Sequence, residues 1–425
     1  MKKVLIISPY FPPSNAPDMQ RIRMSLPYFK LFGWEAEVVA VDPKYSEIVK
    51  DSLLTLSVPP DIPVHLVKAF SKNWTWKVGL GSISLRSLWF YKQKVNSLLK
   101  NQKFDLIYFS TTQFPVCILG SYWKKRFGVP YVIDMQDPWH SEYYINKPKS
   151  ERPPKYWFSY WLNKLLEPIA MKNVSGLISV SKAYVSDLKN RYPLIVDIPA
   201  EIITFSAFEK DLEIVCKNKV NLNHAFTIDN DLINLIYVGR GGNDLHKAVR
   251  ILLGGFKKGI EENKKVFEKI RFHFIGTSYA PIGEGKPTIL PIASSLGLSD
   301  YVLEQTDRIP FYEALKILQE ADILIIPGSD DPKYTASKIF PYVLARKPLL
   351  GVFSRLSSVF SIISDCNAGT MIDINSTESS TYVYEFLNEF LNGQHKSINT
   401  NWETFEEFTA LSMTRKQCNL FEKIT

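Results

Sequence analysis

No apolar run in this 425-residue chain reaches the roughly 18–20 residues that a helix needs to cross a bilayer. Cysteine is scarce and scattered: Cys117, Cys216, Cys366 and Cys418 form no CxxC pair and no Cys/His spacing suited to a metal. That pattern excludes a disulfide framework and points to a reducing compartment. Low-complexity tracts and short repeats are missing too. The opening run, Met1 to Ser8, is short and soon broken by Pro9, Pro12 and Pro13, so it reads as a first strand and not as a signal peptide. A cytoplasmic protein is expected, with any membrane contact peripheral.

Other properties place the chain among folded proteins. Hydrophobic residues make up 45% and charged residues 22%, which a disordered chain does not show. Its length suits two domains of about 200 residues each. Apolar runs alternate with helical patterns: Val4–Ser8, Glu37–Val41, Leu106–Phe109, Tyr131–Asp134 and Gly176–Val180, with a helix expected from Arg21 to Phe32. The pattern fades from Arg191 to Asn230 and restarts with Leu232–Gly239, Arg271–Gly276, Tyr301–Leu303, Asp322–Ile326 and Leu349–Val352. Continuous apolar strands between helices predict parallel sheets covered on both faces. The reading is α/β: residues 1–195 as one Rossmann-like domain, 196–230 as linker, 231–385 as a second such domain, and 386–425 as helices returning to the first. Ligands are then expected beyond the carboxyl ends of the strands, in the cleft between the domains.

The stretch from Ile325 to Leu350 is the most telling. A buried strand leads into a polar loop and then a helix expected to open near Ala336 or Ser337. Unpaired N–H groups at a helix start suit a phosphate, Lys338 adds a mobile charge, and Tyr334, Thr335 and Ser337 add hydroxyls. The segment Tyr237-Val-Gly-Arg-Gly-Gly-Asn-Asp-Leu-His-Lys247 adds Gly239 and Gly241, whose backbone can approach a ligand, and Arg240, a planar fork matched to phosphate. Lys247, about two turns further on, is a candidate to join it.

Ser337-Lys-Ile-Phe-Pro-Tyr342, followed by Arg346-Lys-Pro348, resembles the donor-binding motif of family 4 retaining glycosyltransferases. The resemblance implies two Rossmann-like domains facing across a cleft (the GT-B fold), with C-terminal helices packing back on the first. It implies a nucleotide-sugar donor, with Arg240 and Lys247 holding the diphosphate. Gly276, Thr277, Arg308 and Ile309 stand where that family lines the base and ribose. The family's glutamate pair is missing: Pro341 stands in place of the second, and Asp330 and Asp331 are the nearest substitutes for the first.

In the first domain, Ser8 to Arg21 resembles the family's proline-rich loop, with Asn15-Ala16 replacing the usual Gly-Gly, and makes Ser14 and Asn15 acceptor-site candidates. Ile133-Asp-Met-Gln-Asp-Pro-Trp-His140 resembles an Asp-Pro-Trp element of relatives that act on cell-surface polysaccharides. It makes Asp137 a catalytic candidate and Trp139 and His140 acceptor-binding ones, although Trp139 can equally pack and His140 lie at the surface. Asp229-Asn-Asp231 has the form of a metal-binding Asp-x-Asp but precedes a strand, so it reads as a turn. Neither a cofactor nor a catalytic metal is expected.

The net charge of +8 favours anionic partners, and nothing resembles a nucleic-acid module. From Ser71 to Lys103 there is no acidic residue, while Trp74, Trp76, Trp89, Phe90 and Tyr91 interleave with lysines. Tyr156-Trp-Phe-Ser-Tyr-Trp161 is flanked by cations in the same way. Such mixtures suit an anionic membrane surface and a lipid-linked or glycan acceptor; buried aromatics under a solvated basic face are the plainer explanation. The function expected is sugar transfer in cell-surface polysaccharide synthesis. The alternatives are a nucleotide-sugar 2-epimerase of the same fold and a non-catalytic, membrane-associated binding protein.

Overall fold

The computed structural model describes residues 1–75, 80–140, 142, 145, 148–149, 152, 155–219, 222, 229, 231–329, 338–394 and 399–425. The chain divides into two compact units, Met1–Ser206 with Phe408–Thr425, and Ala207–Glu407.

In chain order the first unit comprises β1 (Lys2–Ile7), α1 (Gln20–Ser25), β2 (Trp34–Val41), β3 (Val64–Val67), α2 (Lys72–Thr75), α3 (Ile83–Asn101), β4 (Leu106–Ser110), α4 (Ile118–Phe127), β5 (Tyr131–Met135), α5 (Tyr156–Met171), β6 (Gly176–Ser179), α6 (Lys182–Arg191) and β7 (Ala200–Ile202). Its seven strands run in the order β3-β2-β1-β4-β5-β6-β7, all parallel. Val4 to Ile7, Ile107, Phe109, Val132 and Ile133 are fully enclosed, which is why these runs carry no polar alternation.

The second unit comprises α7 (Glu209–Asn218), β8 (Ile233–Val238), α8 (His246–Phe267), β9 (Ile270–Ile275), α9 (Leu290–Ser295), β10 (Val302–Gln305), α10 (Phe311–Glu320), β11 (Ile323–Pro327), α11 (Ile339–Leu344), β12 (Leu349–Phe353), α12 (Ser358–Asp365), β13 (Thr370–Asp373), α13 (Ser379–Leu391) and α14 (Trp402–Phe405). Its parallel sheet has the order β10-β9-β8-β11-β12-β13. Strand order reverses between β1 and β4 in one sheet and between β8 and β11 in the other. Those reversals open the crevices where such sheets bind ligands.

The last helix, α15 (Ala410–Glu422), belongs to the first unit. Phe421 stacks on Phe29 and meets Trp34 and Tyr108 edge-on, at 5.4 and 5.1 Å between ring centroids. Gln417 donates to the Ser25 hydroxyl at 2.9 Å.

Some elements depart from the sequence pattern. The helix expected from Arg21 to Phe32 stops at Ser25, because Pro27 cannot continue the ladder, and a 3-10 turn, Phe29–Phe32, closes it at Gly33. The weakly patterned stretch after Arg191 contains β7, only three residues long, and α7, whose Asp211 accepts from the Tyr312 hydroxyl at 3.0 Å. The edge strand β3 was not anticipated; Val64 and Leu66 are exposed and only Val67 of its apolar residues reaches the core, so the run carries little core signal.

Candidate active site

The crevice at β8 and β11 is built around a tyrosine clasp. On α11 the buried Tyr342 hydroxyl accepts the Val238 N–H at 2.7 Å and donates to the Val238 carbonyl at 3.1 Å, fixing the helix to the end of β8. Lys338 caps the start of that helix one turn earlier, so it points toward the same strand end. Its Nζ donates to the Tyr237 hydroxyl at 2.7 Å and lies 4.7 Å from that ring's centroid. Tyr237 in turn donates to the Arg240 carbonyl at 2.9 Å. Gly239 makes room: a Cβ there would lie 2.2 Å from the Lys338 ammonium and 2.8 Å from the Tyr237 oxygen.

Arg240 forms a two-pronged ion pair with Asp244, at 2.8 and 2.6 Å. These hydrogen bonds, with one from Ser329 at the end of β11, hold the Asp244 carboxyl below its usual range. Lys338 shows the opposite imbalance. Burial of its ammonium, then the charges of Arg240 and Arg308, outweigh Asp244 and press its pKa down to about 7. An anion entering here would satisfy the cations and return the proton to Lys338.

The adjoining loops are braced by Glu304, which the sequence reading missed. Its carboxylate accepts the Thr277 hydroxyl at 2.7 Å and the backbone N–H groups of Thr288, Ile289 and Leu290 at 2.7–3.0 Å, capping α9. Thr277, expected to touch the donor, has its hydroxyl committed to this brace. The glycines need a similar correction. Gly239 donates its N–H to Ile275, Gly241 to Thr277 and Gly276 to Gln305, so none of these N–H groups remains for a phosphate. Gly239 and Gly241 serve close packing instead, and Gly276 takes a left-handed φ of +74°. Arg308 is exposed, its guanidinium 5.1 Å from the Tyr279 ring centroid, and Ile309 beside it is half-buried. Lys247 points elsewhere, donating to Asn375 at 2.8 Å. The helix opens at Ile339, later than expected, while Asp330, Asp331, Tyr334, Thr335 and Ser337 lie outside the described residues.

No protein-family profile and no curated protein sequence matches this chain. Solved structures do. It superposes on HepE of Anabaena in complex with UDP with a TM-score of 0.58 at 14% identity, over 100% of both chains. Sucrose-phosphate synthase from Thermosynechococcus elongatus gives 0.60 at 10% identity, over 100% of this chain and 99% of the other. WaaG, a glycosyltransferase involved in lipopolysaccharide biosynthesis, gives 0.54 at 15%, over 99% of each. The chain has the GT-B fold.

In the first unit of this GT-B chain the strand-end charges are enclosed. Arg21 Nε lies 2.6 Å from Asp134 Oδ2 with both side chains fully buried, and Arg21 also donates to the Ile203 and Thr204 carbonyls. Asp134 accepts from Ser110 and Gln136 as well, at 3.1 and 2.9 Å. Asp18, another residue missed from sequence, accepts from Thr111 Oγ1 and the Thr112 N–H, and its burial pushes its pKa up. Asp137 sits just beyond β5 with its side chain exposed; the packed protein around the carboxyl, and after it the Asp18 charge, raise its pKa.

The acceptor candidates fare unevenly. Trp139 is only 5% exposed, stacked on Phe114 at 5.4 Å, with its indole N–H on Asn163, so it is a core residue and not a sugar platform. His140 is buried against Tyr160, and its backbone N–H donates to Glu167. Burial and then Arg191 lower its pKa, so the imidazole is neutral at pH 7 and is not a surface group. Ser14 is buried as well, in a bridge to Lys50, because the proline-rich loop folds against that segment; Asn15 stays half-buried. Asp229 accepts the Asp231 N–H at 3.0 Å, a local turn. Among the described residues, no group of three or more His, Cys, Asp or Glu side chains lies close enough to hold a metal.

Proposed function

We propose that this protein is a glycosyltransferase that takes its sugar from a nucleotide-diphosphate donor, with the diphosphate seated on Lys338 and Arg240. The observation that carries the reading is the meeting of Lys338, held on the Tyr237 hydroxyl, with Arg240 at the β8–β11 crevice, where among the described residues Asp244 is the one carboxylate paired with them. That imbalance suits a ligand with more than one negative charge. HepE, of the same fold, is known in complexes with UDP and with UDP-glucose, which makes UDP the first nucleotide to try.

The family 4 resemblance adds a retaining course. The acceptor oxygen bonds to the anomeric carbon on the face from which the diphosphate leaves, the carbon–phosphate-oxygen bond breaks, and the leaving phosphate takes the acceptor proton. Arg240 and Lys338 stabilise the charge that develops on the leaving oxygen. Asp137 is assigned to orient the acceptor hydroxyl. A glycan acceptor, lipid-linked and destined for a cell-surface polysaccharide, completes the reading, without a metal. The four cysteines are all free thiols, as a cytoplasmic site of action requires.

A thermal-shift panel of UDP, GDP, CDP, ADP and TDP tests the donor site. Stabilisation by one nucleotide in the wild type, absent in Lys338→Ala, is expected. A nucleotide that stabilises both proteins equally places the diphosphate elsewhere.

A further inference from the structure

Helix α5 is built inside out. Tyr160, Leu166, Glu167, Ala170 and Met171 face the core, and Glu167 anchors them: its carboxylate accepts from Arg191, from the Tyr192 hydroxyl at 2.8 Å and from the His140 N–H. The outward face should then be polar. Instead it presents Trp157, Phe158, Trp161, Leu165 and Ile169, one turn apart along the helix, with Trp161 60% and Leu165 65% exposed. Apolar residues scattered singly on a surface need no explanation, but a contiguous stripe does.

Topology extends this face. The crossovers β3 to β4, β4 to β5 and β5 to β6 all advance in one direction across the sheet. Right-handed crossovers therefore lay α3, α4 and α5 side by side on one face. Exposed cations stand on these helices, Lys92 and Lys100 on α3 and Lys125 and Arg126 on α4, whereas Lys124 is tied to the Asn173 carbonyl and the Ser175 hydroxyl. Lys164 rests 5.1 Å from the Trp161 ring centroid. The three helices hold one acidic residue, Glu167, and it is buried.

We infer that this face docks on an anionic phospholipid surface, with α5 lying in the interface. Tryptophan rings suit headgroup depth and the lysines meet lipid phosphates. Among the described residues no helix is long and apolar enough to cross a membrane, so the helix lies along the surface. A second copy of the chain is a poorer occupant, because it would set two cationic faces against each other. The inference stands apart from the transferase reading.

The test is flotation of the full chain with phosphatidylcholine–phosphatidylglycerol vesicles, against pure phosphatidylcholine. Wild type is expected to float with the anionic vesicles and to be released by salt. Trp161→Ser combined with Leu165→Ser should lower partitioning at least about tenfold, as expected for losing two interfacial apolar side chains, with the melting temperature and the nucleotide shift kept. Lys125→Glu with Lys164→Glu should abolish the preference for phosphatidylglycerol. In the wild type, vesicles should shift tryptophan emission to the blue, a readout that needs no variant. Wild type left in the buffer overturns the proposal, as does flotation of the Trp161/Leu165 variant equal to wild type. Self-association without flotation, removed by that variant, assigns the stripe to a second copy. Nucleotide binding with no vesicle capture leaves the transferase reading intact and this one refuted.

Discussion

The two sheets treat charge at their strand ends in opposite ways. In the first unit Arg21 and Asp134 meet inside the protein, and both have hydrogen-bond partners in addition to each other. In the second, Lys338, Arg240 and Arg308 act on one another with Asp244 as the compensating carboxylate. A buried pair of opposite charges holds structure together, and its enclosed cation is closed to a ligand. A cluster with surplus charge is uncomfortable alone and comfortable with an anion. The difference separates an arginine enclosed with its counterion from a lysine proposed to seat a diphosphate, although both follow strand ends in Rossmann-like sheets.

The comparison breaks most visibly in the first unit. Asp134→Ala should destabilise the protein by about 3–5 kcal/mol, because it strands the Arg21 charge in the interior. Denaturant unfolding measures this, and a loss under 1 kcal/mol, about the worth of an exposed pair, would mean that water reaches the site. Replacing the lysine should do the reverse. Lys338→Met should leave stability unchanged or raise it, since it removes a desolvated ammonium, while weakening nucleoside-diphosphate binding by about 1.5–3 kcal/mol, the range for a hydrogen bond to a charged group. Parallel melts and titrations separate the two effects. Gly239→Ala should act more mildly: its methyl displaces the Lys338 ammonium from Tyr237 and weakens binding by about 1 kcal/mol, the worth of one hydrogen bond, with little change in melting.

The last effect is in pH. Lys338 titrates at about 7 in the folded, unliganded protein against 10.5 when unperturbed. Between those values the unfolded chain binds the extra proton, so stability of the unliganded protein rises with pH across that window. Nucleotide affinity runs the other way, full below about 7 and falling above it by at most about tenfold per pH unit, because the ligand favours the protonated lysine. Affinity measured from pH 6 to 9 should bend near 7 in the wild type and stay flat in Lys338→Met.

Much of the fold was legible because enclosed parallel strands are spelled as unbroken apolar runs, as in Val4–Ile7 and Ile323–Ile326. The partnership of Arg240 with Lys338 was legible only through its resemblance to a known motif, since the two residues are far apart in the chain. What the glycines do was not. Gly239 and Gly241 announce a close approach, but the sequence does not say whether a ligand or a lysine makes it. Trp139 was ambiguous for a related reason, because an aromatic beside Asp137 can pack or stack, and Phe114, distant in sequence, decides. Helix α5 was hardest. It is apolar nearly all round, so periodicity cannot tell which side faces inward, and only the pairing of Glu167 with Arg191 and Tyr192 settles the choice.

The most direct test of the central claim is calorimetric titration of UDP into wild type and Lys338→Met at pH 8, repeated in buffers of different ionisation enthalpy. The account predicts that wild type takes up close to one proton as the nucleotide binds and the variant none, and that at pH 6, where the lysine is already protonated, the variant binds at least about tenfold more weakly, the equivalent of 1.4 kcal/mol. UDP binding with equal affinity to both proteins, without proton uptake in either, would contradict it.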